Sequence, residues 1–577
     1  MENKEYDDTT TMENQQLNRP KNKAGGIKTM PFIIANEALS TVASIGLMPN
    51  MVLYLIGSYN LSTAKATNIL FYQSAANNFF PLIGAFLSDS YLGRFLSIGF
   101  GSIFTFLGML LIWLTAMIPQ ARPPHCENNC KSATPAQLGL LFSAFGIMAI
   151  GLGGIKPCSL AFGADQFDKR GSDADDDDDS PSNNNQRVLE TFFTWYYAST
   201  AVSVIIAFTG IVYIQDHAGW KIGFGIPAIF MFFACLFFFL ASSLYYKEKP
   251  TTSIFSSLAR VVVKSYKNRN LQISDYNFGK DKPTNKLRCL NKACISKDGC
   301  TVEQVENLKS LIRIMPIWSA GIMVSITLSQ GSFQVLQARS MDRHITKSFI
   351  FPSGSFAMFT IASAILWLGT YDRIIIPFVS KIKGKPFTLN PKIRMGLGLF
   401  FSILAMCNSA IVEHFRRRRA IDQGYLNNPQ AIVPMSAMWL VPQHCLVGIS
   451  EALFAVACNE FFYTELPKTM SSIAGAIGGL ASAIGGLMAS SILNTVTTVT
   501  KRNGKVGWIA DNINQGHFES YYWLLAMLSC FNLLYFMICS WFYGPCSSGG
   551  MFGTTSSKGP KGDEKIIAVN EQELLVK

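Results

Sequence analysis

The sequence predicts an all-α polytopic membrane protein with twelve spanning helices in two sets of six, and three observations carry that prediction. Charged residues make up 15% of the chain and hydrophobic residues 49%, whereas a soluble chain is about a quarter charged. The apolar residues come in blocks of about 20 or more, the length a spanning helix requires. The longest polar connection falls mid-chain and is dense in Lys and Arg, so it divides the blocks evenly and marks a cytosolic segment. The net charge of +12 sits in loops between apolar blocks, where it orients a membrane protein, and is no footprint for nucleic acid. The thirteen cysteines are scattered, mostly inside apolar blocks, where Cys behaves as a small hydrophobe.

The elements follow in chain order. Residues 1–29 are polar, of mixed charge and without the apolar core of a secretory signal, and read as a disordered cytosolic tail. The first half, 30–244, holds blocks near 30–57, 66–88, 95–118, 137–160, 190–213 and 220–244. The basic linker 245–307 follows, and then the second half, 308–543, with blocks near 308–330, 349–371, 391–413, 432–456, 470–497 and 519–543. The first, seventh and eleventh are rich in Ser, Thr and Gly, a texture suited to a wet cavity or to close helix packing. Residues 544–577 read as a second disordered cytosolic tail.

Two charge runs test this topology. The arginines Arg416 to Arg419 fall in the 9–10 loop, on the side that should be poor in bases, and read as a solvated interfacial run. The run Asp175 to Asp179 lacks the Gly and spaced acids of a calcium loop, and reads as a self-repelling cytosolic segment. No cofactor, metal or catalytic residue is expected. "HCENNCKS" places Cys126 and Cys130 on the extracytosolic side, where a disulfide is the preferred reading and free thiols the next. With His125 they also suggest zinc, but a fourth ligand is missing.

Intramembrane charges are costly and mark function by default. Glu37 stands alone in the first block, with only Ser40 and Thr41 a turn later. In "GLGGIKPCSLAFGADQFD" the glycines have the wrong spacing for a dinucleotide fingerprint. That leaves Lys156 beside Pro157, either facing a cavity and an anionic partner or snorkelling to the interface. Glu451 lies inside the tenth block, and a buried acid opposite Lys156 suggests a switch in which Lys156 and Glu451 share one cavity, each from its own half. In "GAFLSDSYLGRF", Gly84, Asp89, Gly93 and Arg94 fit the G-x₄-D-x₃-G-R pattern between helices two and three of the major facilitator superfamily, a conformational latch that pairs across the halves. A fainter counterpart follows the eighth block at Gly369, Asp372 and Arg373.

Phrases along nearly the whole chain, among them "GGIKPC", "AFGADQFD", "VENLKSLIRIMPIWSAGI", "VLQARSMDR" and "FFYTELP", make it resemble the plant nitrate/peptide transporter family (NPF, also called the proton-coupled oligopeptide transporter family). The resemblance implies a major facilitator fold and a carrier working by alternating access on a small-molecule solute, with protons and the lipid bilayer as its other partners. It also explains the lone acid. The family shows E-x-x-E-[R/K] in helix one as part of its proton-coupling site, and here Glu37 survives while Ser40 and Thr41 stand at the other two positions. A cavity histidine of a nitrate-carrying member aligns with Thr327, and His344 is no substitute for it. The helix-ten site keeps Glu451 but has His444 and Asn459 where Tyr and Gln are usual.

These departures imply weakened or lost proton coupling. A cavity lined by Thr327, Gln330, Gln334 and aromatics leans toward an organic metabolite such as a glycoside, an alkaloid-like compound or a hormone. The alternatives are a low-affinity proton-dependent nitrate or peptide carrier, and a transport-poor sensor that keeps a carrier fold. A membrane enzyme is disfavoured by the lack of metalloprotease, nucleophile-elbow and phosphate-loop motifs. A plasma or vacuolar membrane is the expected location.

Overall fold

The structure is a computed structural model that describes residues 25–124, 132–167, 181–248, 254–270, 283–285, 287–295, 300–384, 389–467, 470–502 and 506–544. The two tails beyond these limits, the acidic run Asp175 to Asp179 and the Cys126 and Cys130 pair lie outside the described residues.

The first half comprises α1 (Met30–Leu47, resumed as Met51–Tyr59), α2 (Thr63–Leu87), α3 (Gly93–Met117), α4 (Pro135–Ile155, then Ser159–Asp165), α5 (Pro181–Ile206, continuing to His217) and α6 (Gly219–Leu240). The second comprises α7 (Val302–Ser319, Gly321–Leu328 and Gly331–Arg339), α8 (Ala357–Thr370, continuing to Lys383), α9 (Pro391–Asp422), α10 (Val441–Glu465), α11 (Ser471–Thr500) and α12 (Phe518–Tyr543). Ten helical runs among the described residues are long and apolar enough to span, and the bent α7 makes eleven. The twelfth arises because the run Thr63–Met117, of 55 residues, holds both α2 and α3. Only the π-helical turn Ser88–Leu92 separates them, and Gly93 (φ 75°) supplies the left-handed backbone that ends it. Between the halves, a linker helix (Ile254–Lys267) packs Leu258 and Val261 onto the second half.

Local sequence explains the irregularities. Pro49 has no N–H to donate, so α1 breaks at 48–50 and restarts at Met51. α4 begins with a capping box, Thr134 with Gln137, and is interrupted at 156–158 around Pro157. α9 begins at the Asn390 cap and runs on to Asp422, well past 413. The arginine run is therefore helical, and the reading of it as wholly solvated is corrected. Arg416 is fully buried, its guanidinium on both Glu413 oxygens (2.7 and 2.8 Å) and on Asn514 Oδ1 (2.8 Å), while Arg418 and Arg419 remain exposed. The i,i+3 spacing of Glu413 and Arg416 puts both on the inner face of the helix.

The halves meet mainly along α2 and α11. A Cβ on Gly486 would lie 3.0 Å from the Phe71 carbonyl oxygen, and one on Gly479 3.2 Å from that of Asn78, so backbone meets backbone along this seam. The hydrogen bonds joining the halves among the described residues lie toward the face that the loop charges assign to the extracytosolic side. Asn68 donates to Asn494 (2.7 Å) and accepts from Ser490 (2.6 Å), the Thr63 amide donates to Asp511 (2.7 Å), Arg343 pairs with Asp216 (3.1 Å) and Ser355 donates to the Phe208 carbonyl (2.6 Å). Among the described residues, no hydrogen bond or ion pair joins the two sets of six helices at the opposite face. There the Phe86 ring at the end of α2 meets Phe255 of the linker helix.

Candidate functional site

A cavity of about 510 Å³ lies between the halves, walled by α1, α2, α4 and α5 of the first and by α7 and α8 of the second. Its charged residues are Glu37 and Lys156. Lys156 sits in the gap where α4 is interrupted, so the break that Pro157 imposes turns the ammonium toward the cavity. Glu37, on α1, lines the same cavity. The Glu37 carboxylate accepts from Ser159 Oγ (2.6 Å to Oε2) and from Thr41 Oγ1 (3.4 Å to Oε1). Ser40 spends its hydroxyl on the Glu37 carbonyl oxygen (3.1 Å). The remaining polar wall comes from Ser74, Asn77 and Asn78 on α2 and from Ser329 and Ser332 on α7.

This arrangement revises the pairing expected from sequence. The other ionisable residue of the cavity wall is Glu37, on α1 of the same half, and Glu451 is half-buried on α10 and does not line the cavity. Thr327, Gln330 and Gln334 also lie off it, and helical geometry gives the reason. α7 turns Leu328, Ser329, Ser332 and Val335 to the cavity, while positions 327, 330 and 334 fall on its opposite face. There Thr327 shares a hydrogen bond with Ser402 of α9 (3.0 Å), and Gln330 accepts from the Tyr521 hydroxyl of α12 (3.2 Å). These groups fasten the second half together. His444 is likewise buried, with Nδ1 3.2 Å from Thr360 Oγ1. Ser159 escaped the sequence reading, although the i,i+3 distance from Lys156 to Ser159 was a usable signal.

In this conformation the latch residues make contacts other than one across the two sets of six helices. Gly84 lets α2 approach α4 so closely that a Cβ would run into the Gly153 carbonyl. Arg94 Nη1 contacts both oxygens of Asp165, in the first half, at 2.5 Å and lies 4.0 Å from Glu248 at the start of the linker, and Asp89 forms no ion pair among the described residues. In this conformation Arg94 therefore braces α3 to the end of α4. Arg394 and Glu460 (2.6 Å) form the matching brace between α9 and α10 of the second half. Equivalent ion pairs at equivalent helix ends are what a duplicated carrier architecture predicts.

Comparison with known proteins agrees with this architecture. Residues 95–509 match the PTR2 family, described as the POT family. The chain is 54% identical over 565 residues to Protein NRT1/ PTR FAMILY 1.2 of Arabidopsis thaliana, covering 92% of this chain and 91% of that protein. It is 52% identical over 564 residues to Protein NRT1/ PTR FAMILY 1.1 of the same plant, covering 92% and 93%. In fold it resembles the crystal structure of an auto inhibited POT family peptide transporter, with TM-score 0.67 and 20% identity over 91% of this chain and 98% of that one. The in meso structure of the POT family transporter PepTSo gives TM-score 0.66 and 18% identity over 90% and 98%. A twelve-helix chain with a charged cavity between two braced halves, matched along most of its length by these relatives, belongs to the POT (NRT1/PTR) family of membrane transporters.

Proposed function

We propose that this transporter moves a mid-sized organic solute through the cavity between α1, α2, α4 and α7 by alternating access, with little or no coupling to protons. The cavity carries the reading. Its volume of about 510 Å³ falls among small-molecule sites, about 300–1,000 Å³, and an inorganic anion such as nitrate leaves most of it unfilled. Glu37 and Lys156 offer opposite charges on one wall, and the serine and asparagine groups of α2 and α7 offer neutral partners beyond them. That mixture suits a polar organic metabolite such as a glycoside, an alkaloid-like compound or a hormone. With the outer contacts made, the chain is in the conformation of a carrier closed on the extracytosolic side.

The uncoupled reading rests on the same residues. A site with two carboxylates makes one of them exchange protons through like-charge repulsion. Here Ser40 stands at the second acid's position, and Lys156 lines the same cavity as Glu37. The pair exchanges partners with the solute, and no proton need travel. The test is uptake of a solute panel into cells lacking their own carriers, at mildly acidic and neutral external pH, with and without a protonophore. An organic solute is expected to equilibrate without being concentrated, with little pH dependence, and Lys156→Gln and Glu37→Gln are each expected to lower uptake at least roughly tenfold at unchanged surface expression. Strong accumulation that collapses with the protonophore refutes the uncoupled reading, and full uptake by both variants refutes the site.

A further inference from the structure

A second and larger cavity, of about 970 Å³, lies at the extracytosolic end of the seam and is lined from both halves. Its acids are already engaged, Asp216 by Arg343 (3.1 Å) and Asp511 by the Thr63 amide (2.7 Å). The His217 ring stacks on Tyr213 with 4.0 Å between centroids. Two further guanidinium groups, Arg122 from the first half and Arg339 from the second, line the same space and form no ion pair among the described residues. Trp220 adds aromatic surface. Two fork-shaped cations without carboxylate partners among the described residues, one from each half, are complementary to a molecule that carries two carboxylates.

We propose that this vestibule binds a small organic polyanion, a di- or tricarboxylate, between Arg122 and Arg339, and that the bound anion favours the closed outer side. The site is whole only while the halves are joined there, so by linkage its ligand shifts the population toward that state. The inference goes beyond the transport reading and stands without it, because it concerns a different cavity and a ligand that need not be carried.

The probe is citrate, titrated calorimetrically against the full chain in nanodiscs of neutral lipid. Saturable binding of about one citrate per chain is expected. Arg122→Gln with Arg339→Gln should weaken it at least roughly tenfold, the scale for losing charge-assisted hydrogen bonds. Arg339→Lys keeps the charge and loses the fork, and should fall between wild type and the double variant. Lys347→Gln, an exposed base outside the vestibule lining, should bind as wild type does. Lack of saturation by the wild-type chain overturns the proposal outright, whatever the variants do. Equal affinity in the double variant, or an equal loss in Lys347→Gln, overturns it as well. External citrate should also shorten label distances across the outer face, and unchanged distances overturn the conformational part. The kinetics of solute uptake then identify the natural source. A raised KM at constant maximal rate assigns the site to the transported solute's own class, and a lowered maximal rate at constant KM assigns it to a separate effector. Both results support the site.

Discussion

Removing the Asp216 charge is expected to tip the carrier toward its outward-open state. Asp216 and Arg343 come from opposite halves and meet at 3.1 Å, with side chains only 17% and 16% exposed. Exposed pairs contribute about 0–1 kcal/mol, while hydrogen bonds to charged groups with restricted solvent access reach about 1.5–3 kcal/mol. The pair opens to a solvent-filled vestibule, so the lower end of that range applies, about 1.5 kcal/mol, or roughly tenfold in a two-state population. The contact is broken when the outer side opens, so its loss penalises only the closed state. Arg343 keeps its bond to the Phe351 carbonyl (3.1 Å), which limits any penalty from an orphaned cation. The assay is a spin-label distance distribution across the outer face, in nanodiscs and in chloride buffer free of polyanions. Asp216→Asn and Arg343→Gln should each raise the open-to-closed ratio about tenfold, and the double variant should add little to either. Unchanged distributions in both single variants, or strictly additive effects, refute the reasoning.

Three further outcomes follow from the packing. Glu413→Gln leaves the fully buried Arg416 without its counter-charge, so a stability loss of about 3–5 kcal/mol is expected in thermal melts, and Glu413→Gln with Arg416→Met should recover much of it. Gly84→Val should abolish folded protein in the membrane because α4 backbone occupies the space, whereas Gly139→Val, with nothing within 4 Å of its Cβ, should express normally by size-exclusion profile. Ser159→Ala removes the 2.6 Å donor to Glu37 and should slow uptake about fivefold, more than Thr41→Ala, whose bond is 3.4 Å. The reverse order would mean that Thr41 holds the carboxylate.

The chain's architecture could be read from sequence because spanning helices leave a one-dimensional signal. Each block was found, and errors fell at ends and breaks, such as the extension of α9 to Asp422 and the interruption of α1 at Pro49. Burying charge in a membrane is costly, so Glu37 and Lys156 stood out for the same reason. Their pairing was less visible. Which acid faces Lys156 depends on the rotation of α4 against α1 and α10, and that rotation is set by contacts such as Gly84 on Gly153, distant in sequence. Thr327 and Gln330 failed as cavity residues on the same account, since one helical face cannot be told from its opposite where both carry Ser, Thr and Gln. Arg416 misled because a run of four arginines reads as solvated until a partner at Glu413 and an acceptor from Asn514 close around its first member.

The seam between α2 and α11 has a mechanical consequence. Where helices meet through interlocking side chains, any rotation must first withdraw knobs from holes, and that resistance adds to every step of a cycle. Here Gly486 and Gly479 bring backbone against backbone, so along that stretch the contact behaves as a plain bearing, with Phe71 of α2, seated among Ala489 and Leu493, as its main tooth. A bearing of this kind stores little preference for one angle over another. The preference is left to a small set of polar contacts at the rim, so single side chains there hold unusual leverage over which way the molecule faces.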